Sequence, residues 1–159
     1  MAAAGGAMEA DEIRPKLYPM EGYLKTSPPC ISQEDANAIA DMLIGAERPV
    51  MIAGTGVHRA KAYEEVEKIA EMIGMPVATS YMGKSAIRET HDLSVGTMGL
   101  IGQKAANDAI MDADVILAVG TCLAPDNTKF MSPRFINPEK QKIIQISFAA
   151  KPNPQMNDQ

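Results

Sequence analysis

Cysteine is scarce. Cys30 and Cys122 are the only two in 159 residues. Two thiols cannot build a disulfide framework, so the fold has to hold by its core, in keeping with a reducing, cytoplasmic location. Basic charge is not in excess either: fifteen Lys and Arg stand against twenty Asp and Glu, a formal net charge of −5. A chain without a basic block is not expected to bind nucleic acid. Long apolar runs are missing. Val115–Val119 is among the longest, whereas a membrane span needs about 20 residues, so no span is expected. The opening residues lack a basic stretch followed by an apolar one, so no export signal is expected. What is there is ordinary for a globular protein, 46% hydrophobic and 22% charged. A chain of this length can bury roughly 70% of the surface it exposes when unfolded.

Proline and glycine are segregated. Of eleven prolines, only Pro49 and Pro76 fall between residues 31 and 124, while nine of twelve glycines lie from Gly45 to Gly120. The ends therefore read as irregular and the middle as regular elements joined by glycine turns. Residues 1–30, small and featureless at first and then holding Pro15, Pro19, Pro28 and Pro29, read as a tail and linker. The domain is expected over 31–150. Residues 151–159, with Pro152 and Pro154, read as a second tail. No internal repeat is present.

Within the domain two periods alternate. Ser32 with Asp35 resembles a capping box, and Ala36, Ile39, Ala40 and Leu43 follow the helical stripe to Gly45. Val50-Met51-Ile52-Ala53 is an apolar run with no polar alternation, as in a parallel strand buried on both faces. Gly54-Thr55-Gly56 breaks it. A second helix places Ala62, Val66, Ile69 and Ile73 on one face, with His58 and Arg59 at its start and Gly74 at its end. Pro76–Thr79 reads as the next strand, 101–111 as a helix, Asp114–Val119 as the strongest strand and Lys142–Ile146 as the last. Strand and helix in alternation predict an α/β fold, a three-layer doubly wound parallel sheet of the Rossmann-like type that binds NAD or FAD.

Open parallel sheets take ligands beyond the carboxyl ends of their strands. Three such ends are small and polar here: Gly54, Thr55 and Gly56; Thr79 and Ser80; Gly120, Thr121 and Cys122. Glycines that merely turn the chain are the plain reading of any one loop, but three on one edge favour a ligand. The glycines would let a phosphate approach, and the helix that follows would offer free N–H groups. The dinucleotide fingerprint fails at its third glycine, where Arg59 stands, and no acid closes the second strand. Gly83-Lys84-Ser85 resembles a P-loop but has Ala78 where its first glycine belongs. His91, in a polar loop, reads as a surface residue. No His, Cys or Asp cluster has metal-ligand spacing. Cys122 as the nucleophile of a hydrolase has no partner that the sequence places beside it.

Arg48 through Val57, Ile69 through Ser80, Gly83-Lys84, Gly96-Thr97-Met98-Gly99, Gly102, Ala106-Asn107, Ala113-Asp114 and Val119-Gly120-Thr121 together resemble the central domain of thiamine-diphosphate-dependent enzymes, the family of acetolactate synthase, pyruvate oxidase and oxalyl-CoA decarboxylase. The likeness runs over about residues 33–147. It implies a six-stranded parallel sheet and, in some members, FAD or ADP bound in a structural role. By position such a nucleotide would run past Gly54, Thr55, Gly56, Thr79, Ser80, Met98, Gly99, Gly120 and Thr121. Two departures speak against tight FAD binding. Cys122 stands where flavin members carry an arginine, and Ile146-Ser147-Phe148 lacks the acid that meets the nucleotide.

The resemblance also implies that thiamine diphosphate and Mg²⁺ are held by two further domains, one of them bearing Gly-Asp-Gly, which this sequence does not contain. The expectation is a fragment of a 2-oxo acid lyase or transferase, acetolactate-synthase-like, with no catalytic or metal-binding residue of its own and inactive alone. Its expected partners are the remaining domains of the parent enzyme and further copies in a homo-oligomer. The rival expectation is a stand-alone adenine-nucleotide-binding module, or a non-catalytic subunit of a multi-enzyme complex.

Overall fold

The computed structural model describes residues 30–147. The expected tail and linker over 1–30 (Cys30 apart) and the tail over 151–159 lie outside them. Ten short elements follow one another. They are helix α1 (Gln33–Ile44), strand β1 (Pro49–Ala53), helices α2 (Thr55–Ala60) and α3 (Tyr63–Ile73), strand β2 (Val77–Thr79), a 3₁₀ turn (Tyr81–Gly83), strand β3 (Ser94–Thr97), helix α4 (Lys104–Asp112), and strands β4 (Val115–Val119) and β5 (Lys142–Ile146).

All pairings are parallel, and the strand order is β3-β2-β1-β4-β5. The order reverses between β1 and β4, which run in full register from Pro49 opposite Val115 to Ala53 opposite Val119. Among the described residues the sheet has five strands, one fewer than the resemblance implies.

Each apolar strand splits its side chains between two cores. Met51, Ala53, Val77, Val115 and Leu117 point to one face, where Leu43 of α1 and Val66 and Ala70 of α3 cover them. Val50, Ile52, Ala78, Ile116 and Ala118 point to the other, beneath Ala106 and Ile110 of α4. Burial on both faces is why these strands carry no polar alternation. It makes the three layers that the sequence predicts.

Local chemistry sets the ends. Ser32 caps α1 by accepting from the Asp35 N–H at 3.0 Å, a bond that satisfies one of the free first-turn donors. Gly74, at φ +66, ends α3. The stretch expected to form one second helix is two. Lys61 adopts a left-handed conformation (φ 55) and closes α2 before α3 begins. His58 and Arg59 therefore lie in the last turn of α2, not at a helix start. Strand β3 had no apolar run to announce it, and its four residues are all half-buried at the sheet edge. The helix expected from residue 101 starts at Lys104 instead, because Gly102 folds back onto the Met98 backbone.

The connection from Gly120 to Gln141 holds turns where a crossover helix is usual. It buries Leu123, Phe135 and Ile136 against the second core, so it serves as that layer's cover over β4 and β5.

Asp114 fastens the amino-terminal side of the sheet. Its carboxylate accepts from the N–H groups of Glu47, at 2.7 Å, and Arg48, at 2.9 Å, 67 and 66 residues away. Burial raises the Asp114 pKa, but these backbone donors outweigh it and hold the carboxyl below its ordinary value. A depressed acid contributes stability above its unfolded pKa and loses it as pH falls through the folded one. Asp114→Asn should cost about 1–2 kcal/mol at neutral pH. As pH falls below the ordinary aspartate range, thermal unfolding should lose more stability in the unmodified chain than in Asp114→Asn; parallel pH curves would refute the clamp.

Candidate functional site

Parallel strands end on one side of a sheet, so the loops after β1, β2, β3 and β4 all open on its carboxyl edge. Those loops hold Gly54, Thr55 and Gly56; Thr79, which closes β2, and Ser80; Met98 and Gly99; and Gly120 and Thr121. The fold thus brings all nine expected residues to one edge, with the β1/β4 reversal in the middle.

Their individual roles are less open than the sequence suggests. At the reversal the chain bonds to itself. The Gly54 N–H donates to the Val119 carbonyl at 2.8 Å, the Gly56 N–H to the Gly120 carbonyl at 2.8 Å, and the Val57 N–H to the Gly54 carbonyl at 3.0 Å. Thr55, half-buried, donates its hydroxyl to the Met82 carbonyl at 3.3 Å. Thr79 is buried with its hydroxyl 3.3 Å from that of Thr97. Ser80 is buried, and its N–H donates to the Ala53 carbonyl at 3.0 Å. Met98 is 0% exposed, with its side chain in the second core, so only its backbone faces the edge. Thr121 accepts from the Leu123 N–H at 3.3 Å, and its carbonyl accepts from Gln145 at 2.8 Å. Cys122 is exposed.

Side chains that the sequence did not single out as site residues tie these loops together. Asn107 of α4, buried, accepts from the Gly99 N–H at 2.9 Å and donates back to the Gly99 carbonyl at 3.1 Å. Gly99 sits at φ +106. Asn127 accepts from the Tyr81 N–H at 3.3 Å, and the Tyr81 hydroxyl accepts from the Ile101 N–H at 2.8 Å. Leu100 donates its N–H to the Asp126 carbonyl at 3.2 Å. The signal for Asn107 was an amide on the face of α4 that also carries Ala106 and Ile110. A buried amide has four bonding sites to satisfy, and a nearby bent backbone satisfies two of them.

The histidines are structural. His58 donates from Nε2 to the Lys84 carbonyl at 2.9 Å, and its Nδ1 accepts from the Tyr63 hydroxyl at 3.1 Å. The tautomer follows, because a carbonyl can only accept. His91 is not the surface residue expected of it: its side chain is 10% exposed. Its Nδ1 accepts from the Leu93 N–H at 3.2 Å, which leaves Nε2 to donate to Glu71 at 3.1 Å. Beside it Arg88 pairs with Glu67 at 3.0 Å, and that hydrogen bond holds the Glu67 carboxyl below its ordinary value. Together these pairs pin the β2–β3 connection to α3.

Among the described residues no group of three or more His, Cys, Asp or Glu could hold a metal ion. No helix among them is long and apolar enough to cross a membrane. The described residues do not fit the diphosphate–metal end of thiamine diphosphate.

Residues 36–152 match the family described as thiamine pyrophosphate enzyme, central domain. This chain belongs to that family. Several curated relatives are similar to the chain over much of its length. A sulfoacetaldehyde acetyltransferase from Castellaniella defragrans is 37% identical over 118 residues, 74% of this chain and 20% of the relative. A probable acetolactate synthase large subunit from Methanocaldococcus jannaschii is 40% identical over 107 residues, 67% of this chain and 18% of the relative. A 3D-(3,5/4)-trihydroxycyclohexane-1,2-dione hydrolase from Clostridium perfringens is 35% identical over 111 residues, 70% and 17% respectively. The chain thus spans about a fifth of the length of the curated relatives it matches. As a thiamine-enzyme central domain it carries the three-layer parallel α/β fold that the sequence predicts, with five strands among the described residues.

Proposed function

We propose that this chain is the scaffolding central domain of a thiamine-diphosphate-dependent 2-oxo acid lyase or transferase, acetolactate-synthase-like in its chemistry, and that it is inactive alone. The family match over 36–152 carries this reading. The relatives, one named an acetyltransferase and one an acetolactate synthase, run about five times longer than the stretch they share with it. In this reading, thiamine diphosphate and Mg²⁺ are held by the remaining domains of the parent enzyme. Those domains, and further copies of the parent in a homo-oligomer, are the partners, and the cytoplasm is the location. When bound, thiamine diphosphate supplies the carbanion that attacks a 2-oxo acid. This chain contributes a rigid sheet whose loop edges are fixed by buried amides.

The purified chain, given thiamine diphosphate, Mg²⁺ and pyruvate, should release no CO₂ and form no acetolactate above a protein-free control. Turnover that scales with protein concentration would overturn the reading.

A further inference from the structure

We infer that the crevice at the β1/β4 reversal of this chain is closed on itself and takes no dinucleotide, although the family resemblance implies FAD or ADP there. A glycine in a phosphate cradle turns its missing Cβ toward the ligand, so that backbone N–H groups can reach the phosphate. Here that space is filled by the chain. A Cβ on Gly54 would stand 2.5 Å from the Gly120 carbonyl oxygen and 2.6 Å from Thr121 Cβ; one on Gly56 would stand 2.5 Å from Gly120 Cα; one on Gly120 would stand 2.6 Å from Gly56 Cα. Gly83 presses in the same way on the Ala53 carbonyl oxygen and Gly54 Cα. At Gly99 the Asp126 carbonyl oxygen and the Tyr81 hydroxyl both lie at 2.9 Å. Three backbone segments, at residues 53–56, 83 and 120–121, meet at the reversal.

Four donors of these loops are engaged as well. Gly54, Gly56, Val57 and Gly99 each give their N–H to an oxygen of this chain at 2.8–3.0 Å. Helix α2 has only six residues, so little aligned dipole stands behind them. No buried side-chain N or O among the described residues lacks a partner, so none waits for a ligand.

Two of the neighbouring cations are engaged too. Cys122 occupies the position after the β4 loop where a cation would serve. Of the lysines in the neighbouring loops, Lys84 pairs with Glu89 at 3.3 Å, and the Lys129 ammonium lies 4.6 Å from the centre of the Phe135 ring. A dinucleotide at this edge would have to break the β1–β4 zipper. The glycines serve contact between strand ends, which explains their presence without a ligand.

The test uses the full chain, isotope-labelled, titrated with ADP and separately with FAD to about 1 mM, together with amide hydrogen exchange. The expected result is no saturable shift at the amides of residues 54–57, 99 and 120–121. The bonded amides of Gly54, Gly56, Val57 and Gly99 should exchange on the order of 100-fold slower than an unstructured chain. Shifts confined to amides elsewhere on the protein would also support the closure, since they leave this edge untouched. Saturable shifts at 54–57 or 120–121 would overturn it, as would rapid exchange of the bonded amides in the free chain. Such a failure would leave the proposed scaffolding role standing, because the turnover assay tests that role separately.

Discussion

Gly120→Ala is expected to destabilise the chain by about 2–5 kcal/mol. Gly120 sits at φ +62, where a side chain costs about 1–2 kcal/mol. Its new Cβ would also stand 2.6 Å from Gly56 Cα. Neither backbone can give way without breaking the Gly56 N–H bond to the Gly120 carbonyl, so overpacking adds about 1–3 kcal/mol. Gly74→Ala is the matched control. That residue has φ +66 and nothing within 4 Å of its Cβ position, so only the conformational cost of about 1–2 kcal/mol remains. Urea denaturation of both variants separates the two contributions. Equal losses would mean that β1 and β4 do not meet at their glycines.

Ile52→Ala should lose about 3–5 kcal/mol. Ile52 is 0% exposed, in the middle strand of the five, with Ala78 and Ala118 beside it in register. Its neighbours are themselves small or held in the sheet, so the cavity cannot collapse. Against a total stability of about 5–15 kcal/mol, that is enough to bring thermal unfolding close to room temperature in a marginal chain. Ile44→Ala, at a residue 73% exposed, should change stability by no more than about 0.5 kcal/mol. A loss at Ile44 comparable to that at Ile52 would contradict the assignment of the core.

The sequence made the sheet legible because its strands are buried on both faces. Val50–Ala53 and Val115–Val119 carry no polar residue, and only a parallel strand covered twice tolerates that. The last strand came out to the residue, since Lys142–Ile146 stands between polar turns. Strand β3 did not, because a half-buried edge strand of Ser, Val, Gly and Thr has neither alternation nor an apolar run. The break between α2 and α3 was hidden as well. It rests on one left-handed lysine, and lysine carries no signal for that conformation.

The site divides in the same way. By itself the sequence determined that three small, polar strand ends (Gly54, Thr55 and Gly56; Thr79 and Ser80; Gly120 and Thr121) would gather at the carboxyl edge, since parallel strands put their ends on one side. Met98 and Gly99 came only with the resemblance, because β3 carried no strand signal. The resemblance, and not the residue pattern, marks Cys122 as standing where flavin members carry an arginine. Which way the glycines face was decided only by the tertiary structure. A glycine has no side chain to mark its direction, and a spacing such as Gly-Thr-Gly suits a phosphate and a neighbouring backbone equally well. The choice between them lies in the register of β1 against β4, a contact across more than sixty residues of chain, which no local pattern encodes.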